Sequence, residues 1–249
     1  MKLVLTLFLL LFISIPIHAE QLRIAVASNF ILPMKALIKA YEKEHNHLVQ
    51  ASYGSSGKLF AQITHGAPFD IFLSADQEKP RSLVESSFAE PSNHFTYAQG
   101  SLVLWSKKRF AEKSLTEILT SENYLRIALA NPKVAPYGMA AQSVLDKLAL
   151  TESTKAKWVM GENISQVFSF VAFGSVELGF VANSQLIGKN SGGQVWQIDA
   201  ALYPPIKQDA VLLNKAKDKN TAIKFWQFLR SDKARDIIQS FGYVTFSPR

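Results

Sequence analysis

Cysteine is missing from all 249 residues. The chain therefore forms no disulfide, carries no thiol nucleophile and builds no thiolate metal centre. Histidine is scarce and scattered, at His18, His45, His47, His65 and His94. Only His45 and His47 have ligand-like spacing, and a solvated pair in a polar turn is the ordinary reading of them. Basic residues outnumber acidic ones by 27 to 20, yet the densest run is only Lys107-Lys108-Arg109. No aromatic-interleaved basic stripe accompanies it, which argues against nucleic acid as a partner. No strand-G-x-S-x-G-helix elbow surrounds Ser56, so a serine hydrolase is disfavoured. Asp70 and Asp76 read as a strand end and a helix cap in preference to an acid–base pair. After residue 19 no apolar run approaches the length of a membrane span.

The N-terminus does carry a signal. Lys2 supplies a positive start, Leu3 to Ile15 are apolar apart from Thr6 and Ser14, and Pro16 ends the run. Ala19 offers a small residue for cleavage, so residues 1–19 are expected to be a signal peptide and the mature protein exported. Its loss removes Lys2 and takes the formal charge from +7 to +6. The remaining length suits one large domain or two lobes. With no disulfide available, such a chain is held by its apolar core.

Strand-like and helix-like segments alternate through the mature chain. Leu22, Ile24 and Val26 alternate as in a strand; Met34, Leu37, Ile38 and Tyr41 then repeat at helical spacing behind Pro33. Asp70 to Leu73 is a short apolar run between turn residues, as expected for a buried parallel strand. Leu125–Ala130 and Val176–Val181 read as further strands, and 220–241 as two helices. This rhythm predicts an α/β fold with mostly parallel sheets flanked by helices. Two extended crossings, near Phe95–Trp105 and Tyr203–Leu213, predict two lobes with a cleft between them. Residues 20–98 plus 206–249 would form the first lobe and 99–205 the second.

Four loops stand where such a fold binds ligands, beyond the carboxyl ends of strands. They are Ala27-Ser28-Asn29, Gly54-Ser55-Ser56-Gly57, Ala135-Pro136-Tyr137-Gly138 and Gly161-Glu162-Asn163-Ile164. Each precedes a helix-like segment, so each presents unpaired N–H groups at the positive end of a helix dipole. Taken singly these residues say little, since serine before a helix is usually a cap. As a set they suit a small oxyanion held without any cationic side chain. Ser28 and Ser56 can give a hydroxyl and an N–H, Asn29 an N–H or its amide, Tyr137 a phenol or an N–H, and Ile164 only an N–H.

The chain resembles the periplasmic molybdate-binding components of ABC transporters, within the type II solute-binding proteins. The resemblance is carried by Arg23–Phe30 (RIAVASNF), Gly54–Leu59 (GSSGKL), Gln62–Gln77 (QITHGAPFDIFLSADQ), Asn131–Gly138 (NPKVAPYG), Glu177–Ala182 (ELGFVA), and Tyr203 with Pro205. It covers essentially the whole mature chain. It implies a two-lobed binding protein, not an enzyme, that takes molybdate or tungstate and no cofactor. It also implies a monomer that hands its ligand to a membrane permease. Molybdenum would enter only as the oxyanion, with no direct protein–metal ligand. Carried across, the site falls on Ser28, Ser56, Tyr137 and Ile164, with Asn29 a further donor. Many members place a tyrosine where this chain has Ala182; Tyr137 is expected to supply the replacement hydroxyl.

Selectivity follows from size. Molybdate and tungstate are nearly alike, whereas sulfate is smaller and would leave donors stretched. Phosphate brings a proton that wants an acceptor, and Glu162 is the nearest carboxylate. The alternatives are a sulfate- or phosphate-binding protein on the same scaffold and, further off, an exported hydrolase.

Overall fold

The computed structural model describes residues 21–45, 47–187 and 191–246. The signal assigned to residues 1–19 lies outside them. The chain begins with β1 (Leu22–Ala27), which passes through a 3-10 turn at Ser28–Phe30 into α1 (Ile31–Glu42). Pro33 fits there because first-turn N–H groups have no partner inside the helix. Met34, Leu37 and Tyr41 lie one above another on the face that is fully buried. β2 (Val49–Gly54), α2 (Ser56–Thr64), β3 (Ile71–Leu73) and α3 (Glu78–Glu85) follow, and β4 (Ala89–Gly100) ends the first passage.

The chain then crosses. β5 (Leu102–Ser106), α4 (Leu115–Thr120), β6 (Ile127–Ala130), α5 (Pro136–Lys147), α6 (Thr151–Thr154), β7 (Trp158–Gly161), α7 (Ile164–Ala172), β8 (Leu178–Ala182) and β9 (Gln194–Gln197) build a second unit. β10 (Ile206–Leu213) returns to the first sheet, and α8 (Asn220–Leu229) and α9 (Asp232–Ser240) pack on it.

The two five-stranded sheets have matching orders, β2-β1-β3-β10-β4 and β7-β6-β8-β5-β9. In the first, only β10 runs against its neighbours; in the second, only β5 does. The sheets are thus mixed, and the strand that enters or re-enters a lobe is the reversed one in each. β4 is longer than the expected run at Phe95–Ala98, because Ala89 to His94 continue its pairing with β10 past an irregularity of register.

Period-two alternation sorts the first lobe's core onto two faces. Leu22, Ile24 and Val26 pack with Met34, Leu37 and Phe225 under α1, α8 and α9, while Ala25 and Phe72 meet Leu59, Ile63 and Leu83 under α2 and α3. The second lobe has one continuous core around Trp105, Tyr124, Leu129, Val144 and Phe180. At the crossings, the Leu102 N–H donates to the Tyr203 hydroxyl (3.1 Å), and Gln99 forms a bridge with Val244 of the C-terminal segment. The carboxyl ends of β1, β2, β6 and β7 lie around one pocket.

Candidate oxyanion site

Those four strand ends surround one small cavity. Its wall contains Ser28 and Asn29 after β1, Gly54 at the end of β2 with Ser55 and Ser56 behind it, Pro136 and Tyr137 after β6, and Asn163 and Ile164 after β7. All five residues predicted from the sequence therefore meet at one place, and none is more than 5 % exposed. Among the described residues, no charged side chain belongs to the wall. Any negative charge held here is met by dipoles alone.

The helix starts leave those dipoles free. Ser56 and Ile164 open α2 and α7, and Tyr137 is the second residue of α5. Their N–H groups have no backbone acceptor among the described residues. The Asn163 side chain caps α7 by accepting from the N–H groups of Ser165 (3.0 Å) and Gln166 (3.1 Å), which leaves that of Ile164. The Ser56 hydroxyl accepts from the Ala75 N–H at 2.9 Å, so its own hydrogen stays available. These three helix starts and the 3-10 turn at Ser28–Phe30 line the same cavity, and each N–H donated to an anion is a charge-assisted bond.

Two side chains point elsewhere. The Asn29 amide donates to the Gln208 side-chain carbonyl (2.9 Å) and to the Tyr243 hydroxyl (2.9 Å), which uses both its hydrogens. The Gln208 amide donates to the Tyr137 hydroxyl at 3.3 Å, and that hydroxyl is also hydrogen-bonded to Tyr243. A Cβ at Gly100 would fall 2.0 Å from the Tyr137 hydroxyl, so this phenol reaches the crossing strand. The expectation of a replacement hydroxyl on the anion thus meets a phenol already engaged within the protein. The Ser184 hydroxyl (3.2 Å) and the Tyr243 hydroxyl (3.1 Å) both donate to the Asn29 carbonyl. Burial pushes the phenols of Tyr97, Tyr137 and Tyr243 above their ordinary range, so the network stays neutral. Sequence reasoning missed Gln208 and Tyr243, which lie far along the chain from the loops they hold.

The lobes touch over the cavity. The Gly57 N–H donates to the Val134 carbonyl at 2.9 Å, and a Cβ at Gly57 would lie 3.0 Å from the Val134 Cα. Lys58 and Glu162 pair at 2.7 Å on the surface above. Glu162, the nearest carboxylate in the sequence, therefore faces Lys58 and is not part of the cavity wall. Among the described residues, no group of three His, Cys, Asp or Glu side chains comes together as a metal site. No helix among them is long and apolar enough to cross a membrane.

A family model described as "Bacterial extracellular solute-binding protein" matches residues 22–244. The chain is 44% identical over 228 residues to the molybdate-binding protein ModA of Azotobacter vinelandii, covering 91% of this chain and 90% of that one. It is 42% identical over 233 residues to the protein of the same name from Rhodobacter capsulatus, covering 94% and 92%. Among solved structures, the Azotobacter vinelandii periplasmic molybdate-binding protein superposes with a TM-score of 0.86 at 37% identity, over 92% of this chain and all of that one.

Proposed function

The chain belongs to the bacterial extracellular solute-binding proteins, and from that premise we propose that it captures molybdate outside the cytoplasm for an ABC transporter. Its kin by sequence are binding proteins and not enzymes. The observation that carries this reading is the wall of the cavity: the N-termini of α2, α5 and α7, the 3-10 turn after β1 and small hydroxyls, with no charged side chain among the described residues. Neutral donors stabilise a dianion without fixing a counter-ion, so size and geometry choose the guest.

In this reading Ser28 and Ser56 give hydroxyls and N–H groups, and Asn29, Tyr137 and Ile164 give N–H groups. Gln208 and Tyr243 hold Asn29 and Tyr137 in place. Tungstate, nearly the same in size and charge, is taken as well. Sulfate is smaller and leaves donors stretched, at about 1–3 kcal/mol for each one unsatisfied. Phosphate in its protonated form finds no carboxylate in the wall to accept its proton.

The working protein is a periplasmic monomer, cut after Ala19, that passes its ligand to a membrane permease. The first lobe, which keeps β4 as far as Gly100, moves as one body and the lobe of β5 to β9 as the other, closing through contacts that both share with the anion. Calorimetric titration with molybdate, tungstate, sulfate and phosphate tests the reading. Comparable affinity for the first two and far weaker binding of the others is expected; sulfate within about tenfold of molybdate overturns the size argument.

A further inference from the structure

We propose that the hydroxyl of Ser55 is a further donor to the captured oxyanion, on the lobe that carries Ser56; this rests on the molybdate-binding reading above. Ser55 is 3 % exposed and forms part of the cavity wall. Its Oγ is buried and has no hydrogen-bond partner among the described residues. Four other side-chain atoms share that condition, on Glu112, Ser191, Asn214 and Trp226, and none of those residues belongs to the cavity.

The ordinary explanation of a serine at this position does not account for it. Ser55 is the N-cap of α2 with extended backbone (φ −70°, ψ 147°), where a serine normally accepts an N–H from the helix's first turn. Its side chain makes no such bond. The nearby Gly57 N–H is spent on Val134 of the other lobe, and the start of the helix is secured by the Ser55 carbonyl, which accepts from Leu59 at 3.1 Å. Buried hydroxyls are almost always partnered, because one left unpaired forfeits its bonds to water. An oxygen of a tetrahedral dianion in the adjoining cavity supplies the missing acceptor. A neutral hydroxyl also matches the rest of the wall, adding a donor without adding charge.

The test is calorimetric titration of the exported chain with sodium molybdate, paired with thermal melts without it, for wild type, Ser55→Ala and Ser55→Cys. Ser55→Ala is expected to weaken molybdate binding about tenfold. Its unliganded melting temperature should hold or rise, since a methyl group replaces an unpartnered hydroxyl. Ser55→Cys, close in volume but a weak donor, should fall between the two and covers a failure of the alanine variant to fold. A purely structural serine gives the opposite pattern, a lower unliganded melting temperature with affinity within about twofold of wild type, and that result overturns the assignment. Failure of the wild type to bind molybdate defeats the reading beneath it and this proposal together; unchanged binding by both variants defeats this proposal alone.

Discussion

Replacing Ser56 with alanine removes two interactions that report on different things. The first is the bond from the Ala75 N–H, 2.9 Å from Oγ, in a position where Ala75 is only 2 % exposed. Leaving that buried donor unpaired costs about 1–3 kcal/mol of folding stability, with or without ligand. The second is the hydrogen Oγ offers to the cavity. A hydrogen bond to a charged acceptor contributes about 1.5–3 kcal/mol, which corresponds to a loss of about 10- to 150-fold in affinity. Urea unfolding without ligand measures the first loss, and calorimetry with molybdate measures the second. If stability falls while affinity is unchanged, the Ser56 hydroxyl merely clips the β2 loop to the β3 loop, and its place in the anion site is refuted.

Tyr137→Phe should behave in the reverse manner: it strands the Gln208 amide, costing about 1–3 kcal/mol in unfolding free energy, yet changes the molybdate dissociation constant by less than about fivefold. A large loss of affinity at unchanged stability would mean that the phenol touches the anion. Gly57→Ala pushes a methyl group against Val134 of the facing lobe; small-angle scattering with molybdate should show weaker compaction and calorimetry a lower affinity, with unliganded stability preserved. Asp209 provides a pH test. Burial pushes its carboxyl up, but hydrogen bonds from His94 (2.6 Å), Thr96 (2.6 Å) and Gln77 (3.1 Å) outweigh this, and it ends below the usual range. A depressed carboxyl stabilises the fold above about pH 4 and stops doing so as pH falls through its folded value. Asp209→Asn should therefore lower urea stability at neutral pH, and the gap to wild type should close in acid; a gap that persists there counts against the carboxylate's role.

Much of the fold could be read from local pattern. The helical stripe of Met34, Leu37 and Tyr41 and the alternation of Leu22, Ile24 and Val26 each declare one buried face, and both are buried as expected. Short elements at the edges of the second sheet were less legible. β7 and β9 have four residues each, too few to show a period, and Trp158 and Val159 of β7 are only partly buried. Helix α4 was overlooked although Ser114 and Glu117 form a capping box three residues apart. The four site loops were visible because strand, small polar residue and helix start are neighbours in the chain. Where their side chains point was not. Asn29 turns toward Gln208 and Tyr243, 179 and 214 residues away, and the direction of the Tyr137 phenol depends on Gly100 of a crossing strand. Such orientation is set by tertiary packing, which no short motif encodes. Ser55 and Ser56 stand side by side in one motif, and only the folded loops separate an oxygen bonded to Ala75 from one with no partner among the described residues.

A crystal structure of the protein grown with molybdate tests most directly whether uncharged dipoles hold this anion. The account predicts oxyanion oxygens within hydrogen-bonding distance of the Ser28 and Ser56 hydroxyls and of the Tyr137 and Ile164 N–H groups, with every lysine and arginine nitrogen outside the shell. Molybdate bound elsewhere, or held in the cleft by a cationic side chain such as that of Lys58, would contradict it.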